Sequence, residues 1–394
     1  MIRVAFPLIG GRLWTGGYNY LLNLLRVVQS AAPGRISPVV LFGPEIPPED
    51  QAPFAAIPGV ETVVDAAFGT AGRGRRLAEA LLLGLDTAAA DAFRRHDIDV
   101  VFEAAQFYGW RLPVPAIAWI PDFQHRYLTH LFSPFARLKR AVGFNAQVWS
   151  GRRIMLSSED ARRDCERFHP ASRGRTAVVR FAVPRVEAVE AAEAGAAAHR
   201  HGLPDGFFFL PNQFWSHKNH LTVIEALAIL DARGTPKVVA ASGNPADPRD
   251  PKHFQRLQAR VAELGLEQRF RILGLIPYGD IALLMRASAA LINPSRFEGW
   301  STTVEEAKAT GTPMILSDLP VHREQGGDGA RYFDPLDAEA LANVLAEFLP
   351  AAPAEREQAA LTAVSRSRAD VAAFATAFVG LAETAAADRA ATHR

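Results

Sequence analysis

The chain has 394 residues, a formal net charge of +1 and 49% hydrophobic residues. That length fits two or three domains, the apolar fraction is ample for buried cores, and the near-neutral charge gives no basic excess of the kind nucleic acid demands. The lone cysteine, Cys165, excludes an internal disulfide framework and a cysteine-rich metal cluster, and reads as a buried, inert thiol. No apolar run approaches the roughly 20 residues of a membrane helix. The opening Met1-Ile-Arg-Val-Ala-Phe-Pro7 reads as a strand and not as a signal peptide. The expectation is a cytoplasmic protein, with a peripheral contact at the inner face of a membrane as a further option.

Short apolar strands alternate with helical segments along the whole chain. Strands are expected at 2–7, 37–42, 98–102, 115–120 and 153–157, and again at 206–210, 237–242, 269–273, 289–293 and 313–317. Such alternation predicts parallel sheets covered by helices. Between the two series, Arg180-Phe-Ala-Val-Pro184 reads as a strand end, and the Ala/Glu-rich stretch 186–200 as a short helix and linker. Two series of similar size predict an α/β protein of two doubly wound, Rossmann-like domains facing each other across a cleft, with ligands beyond the carboxyl ends of the strands. Residues 367–388 read as a helix, and the Ala-rich segments 186–198 and 384–391 as poorly ordered.

Four strand-to-helix loops carry candidate chemistry. After the first strand, Gly16 and Gly17 precede a helix expected at Leu21–Val28. Glycines there permit close backbone approach to a ligand, although the loop is not a GxGxxG and lacks a Walker lysine. Ile120-Pro-Asp122-Phe-Gln-His125 opens at a strand end. Asp122 and His125 are suited to orient a hydroxyl or to stabilise developing positive charge, and the plain alternative for Asp122 is a turn cap.

In the second half, Asn212-Gln213-Phe-Trp-Ser-His217-Lys218-Asn219-His220 runs from a strand through a loop to a helix starting near Leu221. Lys218 can reach a diphosphate as a mobile point charge. His217 and His220 lack the neighbouring acids or cysteines that a metal site needs. The last loop runs from Asn293-Pro-Ser-Arg296-Phe-Glu298-Gly299-Trp300 through Ser301, Thr302 and Thr303 to Glu306. A strand ends at Asn293, cap-type residues follow, and Val304 to Ala309 read as helix, stopped by Gly311 and Pro313. A helix N-terminus binds phosphate through unpaired N–H groups. Carboxylates on either side of it accept strong hydrogen bonds from sugar hydroxyls. Glu298 and Glu306 therefore fit the two ends of a nucleotide sugar, the plain alternative being that Glu305 and Glu306 are solvated first-turn acids.

The full string carries a resemblance. Glu298, seven residues, then Glu306-Ala, followed by Gly-x-Pro-x-Ile-x-Ser-Asp318, is similar to the donor-binding signature of retaining glycosyltransferases of family 4. The resemblance implies the GT-B fold, a nucleotide-sugar donor and a glycan or lipid-linked acceptor, with no metal and no cofactor besides the donor. It implies that Glu298 contacts the transferred sugar and Glu306 the ribose. Gly299 to Thr303 would lie against sugar and diphosphate, Gly16 and Gly17 over the diphosphate, and Asp122 beside the reacting sugar, with His125 in reach. Family members place an Arg and a Lys on the phosphates. Lys218 matches the Lys, but Asn212, or Gln213, stands where the Arg is expected. The remaining phosphate charge would fall to backbone amides and Arg296. The resemblance also implies boundaries at 1–185 and 186–365, with 366–394 as a helix crossing back to the first domain. Gly243 and Gly274 fit the nucleobase side, and the stretch from Ser317 through His322 to Glu324 the pocket floor.

Basic residues gather at Arg137, Lys139 and Arg140 among apolar neighbours in 131–148, which fits either an anionic membrane contact or a solvated helix face. The other classes compatible with these motifs are a non-catalytic glycan- or nucleotide-binding protein, and an epimerase or phosphorylase of the same fold.

Overall fold

The computed structural model describes residues 1–9, 15–184 and 187–392. Contacts divide the chain into two units. The first comprises Met1–His125, Phe132–Phe181 and the chain from Asp370 onward; the second comprises Arg126–Leu131 and Ala182–Ala369.

The first unit is built on seven strands: β1 (Ile2–Leu8), β2 (Ile36–Phe42), β3 (Glu61–Val64), β4 (Val100–Ala104), β5 (Ala116–Trp119), β6 (Arg153–Leu156) and β7 (Thr176–Val178). Their order is β3-β2-β1-β4-β5-β6-β7, and every pairing is parallel. A parallel sheet is covered on both faces, so its central strands are continuous apolar runs. β4 and β5 are buried along their whole length. Aromatic rings fill one face: Phe378 packs at 5.9 Å from Phe6 and 5.8 Å from Phe102, and Tyr20 stacks on Trp119 at 4.0 Å. Cys165 is buried and free, and burial pushes its thiol up to about 11, so it is inert at neutral pH.

The second unit has six strands: β8 (Phe208–Leu210), β9 (Val239–Ser242), β10 (Phe270–Gly274), β11 (Leu291–Asn293), β12 (Met314–Ser317) and β13 (Ala330–Phe333). Their order is β10-β9-β8-β11-β12-β13, again all parallel. Phe208, Leu210, Ile224, Leu227 and Ile292 sit in the main core. The strand order reverses between β8 and β11, which puts a topological switch point at their carboxyl ends. Both sheets thus have the doubly wound, Rossmann-like architecture expected from the alternation.

Several local expectations are corrected. β3 and β13 were not anticipated; they are short edge strands whose residues are largely half-exposed, so they lack an apolar run. The strand expected to end at Pro184 is instead β7, where Thr176 and Val178 supply β-branched side chains. The strand expected at 98–102 lies two residues later, as β4. The first helix begins at Thr15, so Gly16 and Gly17 occupy its first turn, not the preceding loop. Residues 10–14 lie outside the described residues.

The terminal helix is also longer than expected, Pro353–Thr392, and the Ala-rich segments are helical over Ala191–Arg200 and through 384–391, because Ala is the strongest helix former. Over Pro353–Asp388 it is long and apolar enough to cross a membrane, against the expectation from apolar runs. Its Phe374, Ala375, Phe378 and Ala382 are buried, and both phenylalanines pack in the first unit's aromatic core.

Candidate active site

Two loops leave the switch point of the second unit, one after β8 and one after β11, and they are stitched together. The backbone N–H of Arg296 donates to the carbonyl of His217 at 2.8 Å. Asn219 adopts the left-handed conformation (φ 60°) that ends the turn Ser216–Lys218 and starts the helix His220–Ala232. Asn tolerates this conformation better than most residues. Its amide donates to the carbonyls of Pro294 (3.0 Å) and Pro335 (2.7 Å), and its oxygen accepts from Arg296 Nε at 3.0 Å. Gly243, at the end of β9, closes the same corner. A Cβ there would lie 2.4 Å from the carbonyl oxygen of Asn212, so only glycine fits without movement.

This framework sets Lys218 against Glu298, with Nζ donating to Oε1 at 2.6 Å. Their side chains are only 14% and 9% exposed. Burial alone would raise the Glu298 carboxyl, but Lys218, aided by His322 and His217, outweighs it and holds the group at about 2. Ser295 Oγ also lies 2.7 Å from Oε1. Lys218 and Ser295 engage the same oxygen, and Oε2 has no hydrogen-bond partner among the described residues.

Two histidines line this pair. His217 is kept neutral, at about 3, first by burial and then by the Lys218 charge. Its Nδ1 lies 3.0 Å from Arg249 Nη2. His322 is lowered by burial, and its Nδ1–H donates to the Ser317 carbonyl at 2.9 Å. His220 stacks on Phe214 at 4.5 Å, and burial takes it to about 3. Among the described residues, no group of His, Cys, Asp or Glu is arranged to hold a metal ion.

The helix Thr302–Thr310 begins beside this cluster, and its N-cap residue Ser301 makes no side-chain cap bond. Its hydroxyl instead accepts from Asn293 Nδ2 at 2.8 Å. The first-turn amides thus lack a side-chain partner from the cap, as suits an anion. One amide is already taken: Gln325 brackets Ser301, accepting from its N–H at 2.9 Å and donating to its carbonyl at 3.0 Å. That removes Ser301 from the backbone cradle expected over 300–303. Gly299 and Trp300 are half-buried, Thr302 is exposed and Thr303 is buried. Glu305 is no solvated acid; it is buried and bonded to Lys308 (2.9 Å) and Gln325 (2.9 Å). Glu306 stays half-buried and accepts from the Tyr278 hydroxyl at 3.3 Å.

Asn212 is buried in this network. Its amide donates to Asn293 Oδ1 at 3.3 Å, so it links strand ends rather than projecting as a cation substitute. Gln213 is exposed and accepts from the Asn244 N–H at 2.7 Å. Asp318 pairs with Arg323 at 2.6 Å and does not face the Glu298 cluster.

In the first unit, Asp122 accepts from the Gln124 N–H at 2.8 Å, the turn-capping bond of the plain reading. His125 is buried against Phe144 (5.6 Å) and Phe132 (6.4 Å) instead of standing open beside Asp122. Gly16 is exposed and Gly17 buried, both in the first helix.

The structure thus brings together Lys218, Glu298, Asn212, Ser301 and Thr303. It places His322, read from sequence as part of the pocket floor, beside them, and adds Asn293, Ser295 and Gln325, which sequence reasoning did not assign a role in the site. Asn293 and Ser295 had a usable signal, because Asn293 ends the strand and Ser295 stands two residues beyond it. Gln325 had none, since it arrives from a helix beyond the next strand.

Residues 196–363 match the family described as glycosyl transferases group 1. The O-antigen chain mannosyltransferase RfbU of Salmonella typhimurium is 27% identical over 34% of this chain and 35% of its own length. The D-inositol 3-phosphate glycosyltransferase of Streptomyces avermitilis is 29% identical over 61% of this chain and 54% of its own. The chain therefore spans only a third to a half of these relatives. The crystal structure of Anabaena HepE in complex with UDP-glucose superposes with a TM-score of 0.69 at 16% identity, covering 98% of this chain and 99% of that one. At that identity the likeness establishes the fold.

Proposed function

We propose, from the premise that residues 196–363 form a glycosyltransferase group 1 domain, that the chain is a retaining, metal-independent glycosyltransferase. It moves a hexose from a nucleotide-diphosphate sugar to a glycan or lipid-linked acceptor in polysaccharide assembly. The observation that carries this reading is the pairing of Lys218 with Glu298 beside the uncapped helix N-terminus at Ser301–Thr302. Lys218 and the helix amides suit the diphosphate, whose negative charge grows as it departs. Glu298 Oε2 suits a sugar hydroxyl, and Glu306 the ribose. In the absence of an Arg at 212, Lys218, Arg296 and Arg249 are cations carried by or bonded to the loops of this site. Retention at the anomeric carbon and independence from metal rest on the sequence resemblance. The relatives' mannosyl and glucosyl chemistry favours GDP and UDP as the nucleotides to try first.

The acceptor end is assigned to a membrane surface on the cytoplasmic side. Supporting this, the helix Pro134–Trp149 exposes Phe135, Leu138, Val142 and Trp149, and no Asp or Glu occurs from 123 to 158.

The deciding experiment is calorimetric titration of UDP, GDP, ADP and dTDP into wild type and Glu306→Ala, with a chelator present. One nucleotide should bind, and the variant should lose about 1.5–3 kcal/mol, the scale of a charged hydrogen bond. Binding that needs a divalent ion would overturn the metal-free reading, and no binding to wild type would favour a non-catalytic protein.

A further inference from the structure

Ser295 is buried at the start of the loop that carries Glu298, and its surroundings fix it on every side. Its carbonyl accepts from Ser317 Oγ at 2.6 Å, and Ser317 is in turn held by His322 Nδ1 at 3.1 Å. Its Oγ lies 2.7 Å from two oxygens, Asn293 Oδ1 and Glu298 Oε1. A serine hydroxyl has one proton, so it can donate to only one of them. With the amides as placed, Asn293 competes with Glu298 for that proton, and Glu298 Oε1 also relies on Lys218.

The heavy atoms support a second arrangement. Amide orientation is set by the hydrogen-bond network and can turn. If Asn293 and Asn212 both turn, Asn293 Nδ2 donates to Ser295 Oγ, and the serine proton is released to Glu298. Asn293 Oδ1 then accepts from Ser301 Oγ, across the same 2.8 Å separation. Asn212 Oδ1 accepts from Asn293, and Asn212 Nδ2 donates to Thr303 Oγ1, across 3.3 and 3.5 Å. The Ser295 N–H loses its long 3.3 Å contact to Asn293, and across another 3.3 Å Thr303 Oγ1 donates to Asn293 Oδ1 where it had accepted from Asn293 Nδ2.

Lys218 has three N–H donors, and one of them is committed to Glu298 Oε1 in this arrangement. We propose that Ser295 is a positioning residue whose hydroxyl takes over Oε1 when Lys218 turns to the diphosphate, keeping Oε2 aimed at the sugar. The buried Asn212–Asn293 pair makes this exchange possible by carrying the proton rearrangement. The proposal rests on the donor-site reading above and adds to it a residue that touches neither phosphate nor sugar.

The test has a ligand-free arm and a ligand arm. In the first, Lys218→Met is compared with Lys218→Met/Ser295→Ala by carbon NMR of the glutamate carboxyls. Loss of a donor to the charged form should raise the Glu298 midpoint by about one pH unit. An unchanged midpoint overturns the proposal whatever the protein's function. In the second, UDP-glucose is compared with UDP, and GDP-mannose with GDP, on wild type, Ser295→Ala and Ser295→Thr. For Ser295→Ala the advantage of the sugar nucleotide over the bare nucleotide should shrink roughly tenfold while bare nucleotide binding holds. Ser295→Thr, which keeps the hydroxyl, should restore it. Equal loss for sugar and bare nucleotide would mark a merely structural serine and overturn the proposal. If no nucleotide binds wild type, the functional reading fails, and the carboxyl titration alone decides the role of Ser295.

Discussion

At the scale of single residues, Glu298 is the position where structure changes the expectation most. Read from sequence, Glu298→Ala should spare bare nucleotide binding, because the carboxylate serves the sugar. In the structure the same carboxylate occupies Lys218 at 2.6 Å. Glu298→Gln should therefore release the lysine, and calorimetry should show the bare nucleoside diphosphate binding roughly three- to tenfold tighter, while turnover falls. Weaker nucleotide binding would show instead that Glu298 holds the nucleotide itself. The sequence marked Lys218 and Glu298 as charged residues in loops after strands. It could not show that they pair, because 80 residues separate them. Nor could it show that Asn212, read as a replaced cation, is buried with Asn293. An Asn side chain serves equally in a turn, a cap or a core network, and only its neighbours choose among these.

At the scale of elements, central strands were legible and edge strands were not. β1, β2, β4 and β11 are buried runs with a strong apolar signal, whereas β3 has no buried residue, two half-buried ones being flanked by exposed ones. Helix ends were legible where chemistry marks them, as at Gly311, whose φ of 69° caps the helix Thr302–Thr310. The start at Thr15 was missed because Gly16 and Gly17 argue against a helix and are overridden by packing of the turns that follow. The helix Pro134–Trp149 carries the membrane prediction. Phe135, Leu138 and Val142 recur at helical spacing and are 75%, 61% and 43% exposed, with Arg137 and Lys139 exposed among them. Sedimentation with vesicles rich in phosphatidylglycerol should capture the protein. Phe135→Ser with Leu138→Ser should weaken capture about tenfold or more, since each buried apolar side chain contributes about 1.5–3 kcal/mol. Equal capture by purely zwitterionic vesicles would remove the electrostatic part of the argument.

At the scale of the whole molecule, each unit has its own sheet and core, and the second unit carries an acid-sensitive set of histidines. His217 and His220 have folded values of about 3 against 6.5 for the free group, both chiefly through burial. Below about pH 6.5 the unfolded chain binds protons there that the folded chain refuses, so their contribution is complete above that pH and is lost as pH falls toward 3. Each should remove about 2 kcal/mol of stability between pH 6.5 and pH 5, at about 1.36 kcal/mol per unit. Scanning calorimetry at pH 7.5 and pH 5 should show the transition of the second unit dropping. His220→Phe, which keeps the stack on Phe214, should recover about half of the loss assigned to these two histidines. An unaltered pH dependence in that variant would contradict the assignment. The sequence by itself determined the alternation of strands and helices, and with it two parallel-sheet units, because apolar periodicity is a local property set by which face each segment must bury. It also determined the Glu298-to-Glu306 spacing, which is local to one loop and helix. Only the tertiary structure decided which groups share a hydrogen bond. The Lys218–Glu298 pair and the Gln325 bracket on Ser301 each join residues from different loops or helices, and their geometry exists only once β8, β11 and β12 lie side by side.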